Sequence, residues 1–438
     1  MTNYTTKQLL FPRLKNRNVH ANFGGGSITS DAGVLLLREV DRTIKLTDQV
    51  VKLFKDERDP AYIEHTAETM FRQRIYGLAL GYEDLNDHDT LRNDIAFQTA
   101  VGQDKKLASS PTLCRLENKA DRKFAVDIHK IMIDQFIASF KAPPTELILD
   151  FDATDDEVHG NQEGKYYHGY YGNHCFLPLY VFCGKQLLVS YLRPSNKDAA
   201  HHAWAILSLL VKRLRQVWPN VKIIFRGDSG FCRHEMLEWA DKNNVFYIVG
   251  IAQNPNLKKG LATRMTEAEF TFEQTKQKQR LFSEFEYGAK TWKRKRRIIG
   301  KAEHTEKGAN PRFVVTNLEG DPQHLYDNIY CARGDMENRI KDQQLYLFSD
   351  RTSCQKWWPN QLRLLFSSLA YILLEGLRVY ALQKTELVLA SIETIRLKLF
   401  KIGAIVIRNT RSIHLMLSSS YPYQEIFKAV HKQLTAYG

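Results

Sequence analysis

Residues Thr145–Thr154, TELILDFDAT, constrain this chain more than any other stretch, because a short apolar run here ends in carboxylates. Lys141-Ala142-Pro143-Pro144 marks a boundary just before it. Strand side chains alternate between faces. Ile148, Asp150, Asp152 and Thr154 therefore share one face, and Leu147, Leu149, Phe151 and Ala153 the other. Burying two aspartates without partners is costly. A metal ion at the strand's carboxyl end would remove that cost. The plainer alternative is a strand running into an acidic loop, Asp155-Asp156-Glu157, that caps a helix.

Charge narrows the choice. The chain has 438 residues with 62 Lys and Arg against 49 Asp and Glu, a net charge of +13. An excess of this size points first to nucleic acid and second to an anionic membrane surface. At 43% hydrophobic content the chain can build about two to four linked units. No stretch approaches the roughly 18 consecutive apolar residues of a membrane helix, and the N-terminus lacks a signal-peptide core. Cys114, Cys175, Cys183, Cys232, Cys331 and Cys354 form no CxxC pair, which argues against a zinc ribbon or a secreted disulfide framework. The expectation is a cytoplasmic protein with free thiols and no membrane segment.

The fold class expected is α/β. Residues 1–140 read as a helical region: Ser30-Asp31 caps GVLLLREVDRTIKL, AETMFRQRIYGLALGY ends near Gly81, and Ser110-Pro111 opens another helix. Phe23-Gly24-Gly25-Gly26 reads as a flexible or tight-turn opening. Short capped helices suit a DNA-binding bundle, or a plain helical docking domain. Residues 141–252 alternate strands and helices, with VKIIFRGDSG and VFYIVGIA as buried strands, and predict a layer with parallel pairing. Residues 253–325 read as a β-rich insertion. Residues 326–384 read as the remainder of the core, with DNIYCARGDMENRIKDQQLYLFSD a helix. Residues 385–438 read as a helix and a basic hairpin turning near Asn409, closed by a last helix.

Three acids stand out along the chain. Asp152 ends the first strand and Asp228 ends VKIIFRGD. Parallel neighbours would bring their carboxyl ends together, where open α/β sheets place their sites. On the late helix Tyr330, Arg333, Glu337 and Lys341 fall on one face. A glutamate flanked by cations one turn either way suits a metal–phosphate site, with Arg333 and Lys341 meeting phosphate oxygens. Oxygen-only ligands select Mg²⁺ or Mn²⁺. Two such ions about 4 Å apart drive in-line phosphoryl displacement. A second basic feature is Trp292 followed by Lys293, Arg294, Lys295, Arg296 and Arg297. This run suits phosphate contact with some stacking, or an edge strand protected by charge.

The motifs carry a resemblance. Tyr330-Cys-Ala-Arg333-Gly-Asp-Met-Glu337, Asp152-Ala153-Thr154 and Asp228-Ser229-Gly230-Phe231 arrive in the order found in DDE-type transposases of bacterial insertion sequences. The chain resembles that group over nearly its whole length. It departs in one place: the lysine usual seven residues past the glutamate is Gln344 here, and Lys341 lies one turn nearer. The resemblance implies a ribonuclease H-like core interrupted by a β-strand insertion before the glutamate helix. It implies Asp152, Asp228 and Glu337 as the catalytic metal ligands. It also implies cleavage of the element's terminal inverted repeats and joining of the 3′ ends to target DNA. The partners implied are DNA and a second copy in the synaptic complex.

Other residues admit two readings each. Asp150 is an alternative or supporting ligand beside Asp152. Arg226 contacts phosphate or pairs with an aspartate. Trp357-Trp358 stacks on an unpaired base or packs in the core. His159, His168, His174, His201 and His202 read as turn, strand and surface residues rather than a second metal site. Tyrosines among residues 166–171 line a DNA path or pack on a sheet.

Overall fold

The structure is a computed structural model, and it describes residues 8–436. Two compact units emerge, residues 1–119 with 373–438, and residues 120–372. The division falls well before Lys141. The helix Arg122–Ala138, capped by the Asp121 side chain accepting from Phe124 N, belongs to the second unit. It buries Phe136 in that unit's core, and His129 Nε2 lies 3.0 Å from Ser190 O.

The first unit is mainly helical. Its helix Ala67–Leu80 starts where Thr66 Oγ1 accepts from Thr69 N and stops at Gly81, whose φ of 92° is left-handed. Asp31 does not cap the helix Val34–Ile44. It is buried instead and takes the Tyr82 hydroxyl at 2.6 Å and the Lys401 ammonium at 2.6 Å. The unit opens on a hairpin, Leu9–Leu14 with Arg17–Ala21, that the helical reading of 1–140 missed. The C-terminal hairpin pairs Ala404–Arg408 with Ile413–Leu417. Its turn is held by Asn409 Oδ1, which accepts from Arg411 N and Ser412 N. The helix Gln424–Thr435 follows.

The second unit is built on a nine-stranded mixed sheet. Its strands are β1 (Glu146–Ala153), β2 (Leu179–Cys183), β3 (Gln186–Tyr191), β4 (Lys222–Gly227), β5 (Phe246–Gly250), β6 (Gln279–Tyr287), β7 (Arg296–Thr305) and β8 (Arg312–Thr316), with Gly308–Ala309 paired to β7. Their order across the sheet is β6-β7-β8-β5-β4-β1-β2-β3. β1, β4 and β5 run parallel, as the hydrophobic runs predict, and β2 is antiparallel to β1. Leu147, Leu149 and Phe151 point into one core, where Phe151 meets Phe225 edge to face at 5.1 Å. Each such side chain contributes roughly 1.5–3 kcal/mol by burial.

Segment 253–325 differs from the expected β-rich insertion. It opens with the 21-residue helix Pro255–Thr275, N-capped by Asn254. Asn-Pro followed by buried Leu257 and Leu261 is a helix start that the segment's many Lys, Gln and Thr residues obscured. The strands that follow add to the edge of the central sheet through β8, which pairs antiparallel with β5.

The segment read as a helix over 327–350 is helical to Leu347, with irregular turns. A π-helical turn, Leu325–Tyr330, leads through Cys331–Arg333 into the α-helix Gly334–Lys341 and a second π-helical stretch, Asp342–Tyr346. Such bulges recur at functional sites. Among the described residues one helix, Trp357–Leu382, is apolar and long enough to cross a membrane by length and composition, against the expectation of no membrane segment. In the fold 89% of its apolar window is buried inside the protein.

Candidate active site

Register builds the site. β1 and β4 pair in parallel from Glu146–Lys222 to Phe151–Gly227. Asp152 and Asp228 are the next residues on each strand, so they emerge side by side at the carboxyl end. Asp228 also caps the short turn Ser229–Phe231, its Oδ1 accepting from Gly230 N at 2.9 Å. Behind it, β5 ends at Gly250. A Cβ there would lie 2.7 Å from the Tyr330 hydroxyl and 3.0 Å from Ser229 N, so only glycine fits where the glutamate helix meets the sheet.

Arg333 joins the first and third motifs. Its Nη1 donates to Asp152 Oδ2 at 2.8 Å and its Nη2 to Glu337 Oε1 at 3.0 Å. Asp152 is mostly buried, and its carboxyl is pushed up to about 6. Burial is the main cause. Arg333 opposes it, and the neighbouring Asp228 and Glu337 carboxylates reinforce it. The three acids therefore share one electrostatic site. Among the described residues no three potential ligands stand close enough to enclose an ion as they are. The donor chemistry nevertheless fits a divalent cation: three carboxylates, oxygen ligands only, with Arg333 now supplying the positive charge between two of them.

Beneath the acids lies a buried pair. Arg226 bonds Asp150 through Nε and through Nη2, the latter at 2.7 Å, and donates through Nη1 to Ile329 O. Both side chains are almost wholly inaccessible. Arg226 thus pairs with an aspartate rather than facing phosphate, and Asp150 is already engaged. Gln344, in the place of the usual lysine, donates to Thr154 Oγ1 at 3.3 Å and to Asp155 O at 3.0 Å. Sequence spacing could not have shown that contact. Lys341 is exposed on the turn between Glu337 and Gln344.

The basic run departs from its expected role. Lys293 pairs with Glu238, and Arg294 and Arg296 with Asp241. Arg296 is 4% exposed and also meets the Tyr247 hydroxyl, so it belongs to the core, not to a DNA-facing surface. Arg297 bonds Glu284 and the carbonyls of Leu318 and Gly320. Only Arg296 and Arg297 lie on β7, Lys293, Arg294 and Lys295 form the turn before it, and four of the five cations meet acids on neighbouring elements. Lys295 is exposed. Trp357 packs edge to face on Phe176 at 5.5 Å, which is the packing alternative read for it.

The sequence pattern of the transposase DDE domain group 1 family matches residues 11–438. The chain belongs to that family. Transposases of this family act on DNA and generally use divalent metal ions, in keeping with the acids just described. No curated protein matches the sequence. Among solved structures the chain is similar to a piggyBac transposase in a synaptic complex with hairpin DNA. That similarity has 11% identity and a TM-score of 0.43, and covers 84% of this chain and 79% of the other.

Proposed function

We propose that this DDE-family chain binds the terminal inverted repeats of its own element, cleaves the ends and joins the freed 3′ ends to target DNA. The observation that carries the reading is the meeting of Asp152, Asp228 and Glu337 around Arg333, at the ends of two parallel strands. The order β3-β2-β1-β4-β5, with only β2 reversed among the five, supports reading this part of the sheet as a ribonuclease H-like core.

Asp152, Asp228 and Glu337 would hold Mg²⁺ or Mn²⁺, as two ions. When bound, such ions stabilise the attacking and leaving oxygens of an in-line phosphoryl displacement. Arg333 neutralises Asp152 and Glu337 until then, and its forked donors suit a phosphate oxygen once released. Lys341, Lys295 and the Tyr330 hydroxyl are the further contacts proposed along the DNA strand. Bringing two ends together calls for two copies of the chain, so the synaptic complex is a homodimer in this reading.

The test is strand transfer by the purified protein with Mg²⁺ on duplexes carrying the repeats that flank its gene. Asp152→Ala, Asp228→Ala and Glu337→Ala are each expected to lose at least about a thousandfold in rate, roughly 4 kcal/mol of barrier, while still binding DNA. Full strand transfer by any of them overturns the assignment. Cleavage without joining assigns a nuclease instead. Binding without metal-dependent cleavage assigns an inactive DNA-binding relic.

A further inference from the structure

The small sheet that follows the first motif carries an aromatic ridge that the core does not use. Its strands are Asp156–Glu157, Asn173–Phe176 and Tyr166–His168, in the order Asp156–Glu157, Asn173–Phe176, Tyr166–His168. The first of them begins two residues after Thr154, so the hairpin is rooted directly at the acid-bearing end of β1. Cys175 is buried, its opposite Tyr166 is exposed, and the Ser195 hydroxyl bonds Tyr166 O at 2.8 Å.

The hairpin's tip is aromatic and open. Tyr167 is 61% exposed and Tyr170, in the turn Gly169-Tyr170-Tyr171-Gly172, is 86% exposed. Tyr167 lies edge to face with His174 across the strand pair at 5.6 Å. Tyr170 meets Tyr171 edge to face at 5.0 Å, and Tyr171 meets His168 at 4.9 Å. Tyr171 carries the ridge inward: its phenol is half-buried and pushed up to about 12, chiefly by burial and then by Asp155 and Asp152. Of the tyrosines read either as lining a DNA path or as packing on a sheet, Tyr166, Tyr167 and Tyr170 are exposed.

Exposing two large rings beside one turn forfeits burial that a structural tyrosine would keep. Flat rings with polar tips, on a hairpin whose Tyr171 feels the Asp155 and Asp152 carboxylates, match the faces of unpaired bases, which stack on aromatic side chains regardless of sequence. Bound metal ions would offset the acidic charge that otherwise repels a strand there.

We propose that Tyr167 and Tyr170 are a stacking platform for unpaired bases of the DNA strand entering the site. The proposal rests on the reading of Asp152, Asp228 and Glu337 as the DNA-cleaving centre. It names the single-stranded or opened part of the substrate as the ligand.

The experiment compares the full chain's affinity for a blunt duplex with that for the same duplex carrying an oligothymidine tail, in Ca²⁺ to withhold cleavage. The wild-type protein is expected to favour the tailed duplex by about 5- to 100-fold. Tyr167→Ala with Tyr170→Ala should abolish that preference and leave blunt-duplex affinity unchanged. Tyr167→Phe with Tyr170→Phe should retain it, since the ring survives, and both pairs should melt with the wild-type protein. Undiminished preference in the alanine pair overturns the proposal, as does a wild-type protein indifferent to the tail. Loss of self-association in the alanine pair, with tail preference intact, assigns the ridge to a protein partner instead. Failure of the wild-type chain to bind either duplex overturns the DNA-cleaving reading itself, which separates the two.

Discussion

Arg226 and Asp150 form a buried pair two residues behind the acids of their respective strands, and Arg226 also donates to Ile329 O beside Tyr330. One guanidinium thus ties together β1, β4 and the start of the glutamate helix. Parallel register places Arg226 opposite Asp150, so alternation puts the pair on the same sheet face as Asp152 and Asp228. An ion pair removed from water is held by geometry, and breaking one partner strands the other charge.

Arg226→Met is therefore expected to lower stability by about 3–5 kcal/mol. Urea unfolding followed by tryptophan fluorescence measures it. Asp150→Leu combined with Arg226→Met should recover most of that loss, because no lone charge remains. Loss of the Ile329 contact should persist in the double variant as weaker metal-dependent cleavage.

Gln344 holds the first motif through Thr154 Oγ1 and Asp155 O. Gln344→Ala should cost about 1 kcal/mol of stability, the worth of a neutral hydrogen bond. It should slow cleavage by roughly tenfold, about 1.4 kcal/mol of barrier. Gln344→Glu should be slower still, since it adds negative charge beside Asp155. Single-turnover cleavage at saturating DNA separates this positioning effect from binding.

The cations of the basic run should divide by burial. Arg296→Ala is expected to destabilise the second unit, because Asp241 and the Tyr247 hydroxyl lose a buried partner. Lys295→Ala should leave melting unchanged and lower the slope of log affinity against log salt by about one. Equal stability losses in both variants would contradict this division.

Asp152 sets a pH dependence. Its carboxyl, normally near 3.8, is raised to about 6, so the folded protein holds that proton more tightly than the unfolded chain. The stability this confers is full below the ordinary carboxylate range and is lost as pH rises through about 6. Asp152→Asn should therefore stabilise the metal-free protein at pH 7.5 by about 1–3 kcal/mol. In the wild-type protein the same proton competes with metal. Mn²⁺ affinity, read by calorimetry, should hold above about pH 6 and weaken below it. An affinity flat from pH 5 to 8 would remove Asp152 from the ligand set.

Much of the site was legible because its elements announce themselves locally. Alternation over Leu147–Thr154 fixed which side chains face the core, and Ile223-Ile224-Phe225 marked a strand buried on both faces. The spacing of Arg333 and Glu337 put them on one face, but the guanidinium read as meeting phosphate joins Glu337 to Asp152 instead. The helix Pro255–Thr275 was not legible in the same way, because its buried positions are few and its exposed faces are polar.

By itself, then, the sequence determined the acids, their order along the chain and the strands and helix that carry them, since periodicity and caps act within a few residues. Only the tertiary structure decided what each charge meets. It gave Asp150 to Arg226, left Asp152 to Arg333, drew Arg296 into the core and set Gln344 against Thr154. Those pairings join residues far apart in sequence, and a charge's partner depends on which elements fold beside it. Strand pairing and helix packing fix that choice, and no local pattern records it.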